Sequence, residues 1–123
     1  AYKASSPKRV DLIVFRTNAS DDAALHIRRV IGLPGETVQI TGGRILINGE
    51  VYNVGKDFPM ITNPGLAATA VTLESGEYFV LGDNRNNSED SRYADIGMVR
   101  KRYIVGKIWF TCSPFEKLGF TKG

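Results

Sequence analysis

The sequence has little cysteine, little histidine and no long apolar run, and each shortage removes a class of protein. Cys112 is the single cysteine among 123 residues, so no intrachain disulfide exists and stability must come from packing and hydrogen bonds. Near the end of a strand-like segment, it reads as a small buried hydrophobe. His26 is the single histidine, and no His or Cys cluster has metal-ligand spacing. No metal or other cofactor is expected. A Ser-His-Asp arrangement would need His26 as its base, but a lone strand histidine reads first as a hydrogen-bonded or partly exposed residue. No segment approaches the ~18 to 20 apolar residues of a membrane span. No signal peptide opens the chain, and Ala1 without a preceding Met reads as the start of a processed or shortened polypeptide. A net charge of +3 is too small to demand a nucleic acid partner, and aromatic and basic residues do not interleave on one strand as such a surface requires. No lysine lies between Lys8 and Lys56.

What is present is an ordinary globular composition, 42% hydrophobic and 24% charged, with 13 glycines and little helix-length apolar periodicity. The length suits one domain. Val10 to Phe15 is short, apolar and β-branched, and reads as a buried strand. A second strand runs from Ala24 to Ile31, with Leu25, Ile27 and Arg29 on one face and Ala24, His26, Arg28 and Val30 on the other. Thr41-Gly42-Gly43 predicts a hairpin between Glu36–Ile40 and Arg44–Asn48, and Asn48-Gly49 predicts a type I′ turn into Val51. Tyr52 to Leu66 is irregular. Ala67 to Leu73 and Glu77 to Leu81 read as strands, residues 82 to 97 as a long polar loop, Met98 to Arg102 as one helical turn, and Tyr103 to Thr111 as a closing strand. The fold class is mainly β, with eight or nine short antiparallel strands and little helix.

Two segments are dense in chemistry-bearing residues: Arg28-Arg29-Val30-Ile31-Gly32-Leu33-Pro34-Gly35-Glu36 and Gly82-Asp83-Asn84-Arg85-Asn86-Asn87-Ser88-Glu89-Asp90-Ser91-Arg92. A Gly-Asp-Asn start favours a tight turn whose side chains bond their own backbone, and Asp90 and Arg92, two apart, are placed for a local ion pair. With histidine and metal chemistry set aside, the hydrolytic option is a serine activated by a lysine whose pKa is lowered by loss of water.

Both segments resemble the best-marked blocks of the type I signal peptidases, membrane-anchored serine proteases that remove secretory leader peptides. Pro7-Lys8-Arg9-Val10-Asp11 resembles the opening of their first core strand, usually Pro-Lys-Arg-Gly-Asp, and Tyr103 to Phe110 the closing strand. Val10 replaces the usual glycine, so the turn before the strand is expected to differ. The resemblance covers roughly residues 7 to 115. It implies a signal peptidase β core at about 7–40 and 74–115, with a variable β insertion at about 41–73.

The resemblance also implies site roles. The family's catalytic lysine falls at Arg28, and its nucleophilic serine lies in a segment that this chain does not contain. A guanidinium stays charged and offers donors without an acceptor, so Arg28 cannot take a proton. Ser88 matches the hydroxyl that orients the lysine and is expected to face Arg28. Arg29 and Asp83 match a pair that ties the strand to the loop, and Asn84, Asp90 and Arg92 match the residues that shape it. Leu25, His26 and Ile27 would border a substrate lying as an added strand. The expected protein is an extracytoplasmic, membrane-held domain whose single-pass anchor is outside this chain. It would be a homologue that does not cleave and that binds secreted or pilin precursors, as some Gram-positive pilus-assembly relatives do. The alternative is a shortened or inactivated peptidase that cleaves leaders after Ala-x-Ala.

Overall fold

The computed structural model describes residues 6–20, 22–53, 58–113 and 115–122, with side chains described as far as residue 108. Among the described residues ten strands form two antiparallel sheets. In chain order they are β1 Leu12–Phe15, β2 His26–Gly32, β3 Thr37–Thr41, β4 Arg44–Ile47, β5 Glu50–Val51, β6 Val71–Thr72, β7 Glu77–Leu81, β8 Val99–Arg100, β9 Ile104–Ser113 and β10 Phe115–Lys122. The larger sheet has the order β10-β9-β1-β2-β7-β8, and the smaller β5-β4-β3-β6.

β7 explains how the layers assemble. Its run Glu77-Tyr78-Phe79-Val80-Leu81 is apolar almost throughout, the pattern of a strand covered on both faces. Tyr78 and Val80 join Ile13, Phe15, Val30, Ile96, Val99 and Ile104 in one core cluster. Phe79 and Leu81 point the other way and join Ile31, Val38, Ile40, Ile45, Ile61, Ala67 and Leu73 in a second. The small sheet is therefore the lid of the second core. β3 belongs to this small sheet, so the boundary between the sheets falls before Thr37 rather than after Ile40.

Both predicted turns form. Asn48 and Gly49 have φ of 53° and 83°, the left-handed pair a type I′ turn needs, and Leu46 and Ile47 pair back onto Val51 and Glu50. Other expectations need correction. Ala67 to Leu73 is a strand only at Val71–Thr72. Before it, Gly65–Ala68 makes a 3₁₀ turn, closed by Ala67 N–H donating to Pro64 O at 3.1 Å. Met98 to Arg102 is not one helical turn. Val99 and Arg100 pair with Tyr78 and Glu77, and the 3₁₀ turn follows at Lys101–Tyr103. β10 pairs along β9 and was not anticipated. The expected burial of Cys112 lies outside the described side chains.

Val10 keeps the turn that glycine would make instead of refolding it. Its φ is 68°, its N–H donates to Val30 O at 2.8 Å, and its carbonyl accepts from Arg29 Nη1 at 2.9 Å. A β-branched residue at positive φ is strained, by about 1–3 kcal/mol. Glycine would relieve that strain but give back about 0.5–1 kcal/mol through the entropy of the unfolded chain. Val10→Gly is thus expected to stabilise the domain by about 1 kcal/mol and raise Tm by about 4 °C in a thermal melt. An unchanged or lower Tm would show that the valine is at ease there.

Candidate functional site

The site forms where β2 meets the loop 82–92. β1 pairs along one edge of β2, from Phe15 opposite His26 to Leu12 opposite Arg29. On the other edge β7 begins its pairing only at Arg29, opposite Leu81. Among the described residues no strand covers His26 to Arg28 on that side. Val30 N–H donates to Asp11 O and Val30 O accepts from Val10 N–H, so the peptide groups of Val30 face β1. By the alternation of a strand those of Ile27 face the open edge. Leu25 and Ile27 are half exposed beside it.

Arg28 is partly buried and its guanidinium is already engaged. Nε donates to Glu89 O at 2.7 Å and Nη1 to Ile27 O at 2.8 Å. Every nitrogen on that head is a donor, so the group can hold a carbonyl or an anion and cannot accept a proton. The expected contact with Ser88 takes another form. Ser88 Oγ donates to Asp90 Oδ2 at 3.1 Å, while the Arg28 head bonds backbone carbonyls. The two side chains still meet across Gly82. A Cβ there would lie on Ser88 Oγ and 3.6 Å from Arg28 Cδ, so this position requires glycine.

Arg29 and Asp83 form a two-pronged pair, Nε to Oδ1 at 2.8 Å and Nη2 to Oδ2 at 2.7 Å. With Nη1 on Val10 O, Arg29 joins the lead-in turn, β2 and the loop. Bonding to Asp83 raises the Arg29 pKa further above its ordinary value, against the effect of burial. Asn84 is exposed, and its carbonyl accepts from Asn87 N–H at 3.0 Å to close a turn. His26 lies against Phe15, ring centroids 5.6 Å apart. Burial, with the Arg28 charge adding to it, lowers its pKa below the ordinary histidine value.

Asp90 and Arg92 are both fully buried, at 0% and 1% exposure. The Asp90 carboxylate accepts from Arg92 Nε at 2.8 Å, Arg92 Nη2 at 2.9 Å, Arg92 N–H at 3.2 Å, Gly82 N–H at 3.0 Å and Ser88 Oγ. Arg92 continues to Asn63 O at 3.1 Å, and its own carbonyl accepts from Leu66 N–H at 2.7 Å. That approach is close enough that a Cβ on Gly65 would strike Arg92 O.

Sequence reasoning placed Arg85 in a polar loop without a role, whereas it is 1% exposed. Its Nε donates to Gly82 O at 2.9 Å and its guanidinium lies 4.0 Å from the centroid of the Phe58 ring. Nothing in the local pattern signalled this burial, since Phe58 is distant in sequence. Beside Ser88, Asn86, Asn87, Glu89, Tyr93 and Asp95 line an open groove of about 590 Å³. Among the described residues no group of three His, Cys, Asp or Glu side chains is placed to hold a metal, and no helix is long and apolar enough to cross a membrane.

Residues 1–112 match the family described as signal peptidase, peptidase S26. The chain is 39% identical to a signal peptidase I of Leptolyngbya laminosa over 97% of its own length and 59% of the relative's. It is 36% identical to signal peptidase I T of Bacillus subtilis, covering 94% of this chain and 62% of that one. A crystal structure of a signal peptidase I from Enterococcus faecalis superposes with a TM-score of 0.59 at 28% identity, over 83% of this chain and 96% of that chain. The chain spans about 60% of the length of the two curated relatives named.

Proposed function

The chain belongs to the signal peptidase family, peptidase S26, and from that membership we propose that it docks an extended peptide, a secreted or pilin precursor, as an added strand along Leu25–Ile27 without cleaving it. The observation that carries this reading is Arg28. It occupies the position of the family's base, and its guanidinium is held between Ile27 O and Glu89 O. A permanently charged donor there cannot take a proton from a hydroxyl and so cannot activate it. Two further features support docking. The backbone of Ile27 faces an edge that no described strand occupies, and exposed Leu25 and Ile27 supply apolar contact beside it. A groove lined by Ser88 and Glu89 adjoins the Arg28 head, which bonds Glu89 O. In this reading the domain works on the extracytoplasmic face, held to the membrane by an anchor outside this chain.

A second reading, an inactivated form of a peptidase that cleaves leaders, is favoured by the relatives named signal peptidase I. One experiment separates binding from turnover. The domain is titrated with an Ala-x-Ala leader peptide while the Ile27 amide is followed by NMR. Docking is expected to shift and protect that amide and leave the peptide intact. Sustained hydrolysis, or binding that leaves Ile27 unmoved, would overturn the proposal.

A further inference from the structure

The open edge of β2 is closed at one end. From Arg29 onward β7 takes that edge, and its last residue, Leu81, lies opposite Arg29. A strand added along His26 to Arg28 in the direction of β2 therefore runs into Leu81 and cannot continue in the sheet. The Arg28 head stands at this closed end, because Nη1 holds Ile27 O on the open edge and Nε holds Glu89 O on the loop. Nη2 differs from both. Among the described residues it has no acceptor, yet it is not one of the unpartnered nitrogens shut off from solvent, which are Arg16 Nε and Arg85 Nη2. Nor is the charge of this head matched. Arg29 is paired by Asp83 and Arg92 by Asp90, whereas Arg28 bonds only neutral carbonyls. Glu89, whose carbonyl it bonds, has an exposed side chain that water screens.

We propose that a docked peptide is held most tightly when it ends here, its free C-terminal carboxylate lying at Arg28 and accepting from Nη2. The inference rests on the docking reading above and adds which end of a peptide the edge selects. An incoming N–H that takes Ile27 O displaces Nη1, which then joins Nη2 in a two-pronged grip on the carboxylate. A chain that runs on must leave the sheet at Arg29 and offers the head only a neutral carbonyl. An N-terminal ammonium at the same point would be repelled, so the peptide runs parallel to β2. A free carboxylate at this place is what hydrolysis of a peptide bond leaves behind. The edge thus favours a leader already cut from its precursor, and intact precursors dock there more weakly.

The test compares two forms of one peptide, acetyl-Leu-Ala-Leu-Ala as the free acid and as the C-terminal amide, titrated into the domain at pH 7 while the Ile27 amide is followed by NMR. Both are expected to shift that amide, and the acid to bind at least about tenfold more tightly, the difference a charge-assisted pair gives. In Arg28→Ala the two forms should bind equally. The native chain alone can refute the proposal. Equal affinities with Ile27 shifted by both forms would overturn it and leave docking standing, whereas Ile27 unmoved by either would overturn docking as well. A preference for the acid that survives in Arg28→Ala would place the carboxylate elsewhere and also overturn it.

Discussion

Asp90→Ala is expected to destabilise the domain by about 3–5 kcal/mol, because it leaves the buried Arg92 guanidinium without its counter-charge. Tm should fall by roughly 12–20 °C in a thermal melt followed by circular dichroism. The size follows from geometry, not from the presence of an ion pair as such. The carboxylate accepts five hydrogen bonds, from Arg92, Gly82 and Ser88, and neither partner of the pair reaches water. Native domains have only about 5–15 kcal/mol of net stability, so this single change removes a large share. Buried ion pairs can often be replaced by apolar residues without loss. Here Asp90→Leu with Arg92→Met is still expected to melt lower than the native chain. Gly82 N–H would lose its acceptor and Asn63 O its donor, and no hydrocarbon supplies either. A loss below about 1 kcal/mol for Asp90→Ala would mean that water enters this loop and takes the place of the carboxylate.

Arg28→Ala is expected to tighten binding of a leader peptide by about tenfold. An added strand needs the carbonyl of Ile27 as an acceptor, and in the free domain the Arg28 head occupies it at 2.8 Å. Releasing a charge-assisted bond and forming an ordinary backbone bond in its place is unfavourable by about 1–1.5 kcal/mol, which corresponds to that factor. Calorimetry on the domain and its variant measures the difference. Equal or weaker binding by the alanine variant would mean that the guanidinium helps to hold the peptide. The companion variant, Arg28→Lys in the full-length protein, addresses the chemistry. On the docking reading it gains no leader cleavage. A gain of about 10²-fold or more, the usual contribution of a positioned base, would instead make the chain an inactivated peptidase.

The sequence was most legible where local physics decides the structure. Gly42-Gly43 and Asn48-Gly49 fix their turns through backbone sterics alone, and both hairpins form. The two dense segments also disclosed which residues would meet. Arg29 finds Asp83 across 54 positions, and Asp90 finds Arg92 within its own loop. Legibility failed where distant contacts override local preference. The stretch after Pro64 has strand-like residues, yet the Leu66 N–H is drawn to Arg92 O and Gly65 turns the chain into a 3₁₀ segment. The burial of Arg85 depends on Phe58, which arrives from the irregular segment between β5 and β6. Ser88 Oγ donates to Asp90 because the buried carboxylate accepts, whereas the Arg28 head offers only donors.

The attachment of this loop to the small sheet bears on how the protein can diversify. Asn86 grips Thr62 and Met60, and Arg92 grips Asn63 and Leu66, so residues 60–66 serve as a mounting bracket for the site. Length changes are therefore tolerable at the turn Asn48-Gly49, which makes none of these bracket bonds and where a grafted epitope or reporter loop could be carried. The same insertion between Met60 and Ala68 would unseat the loop from behind and disable the site without touching any of its working side chains.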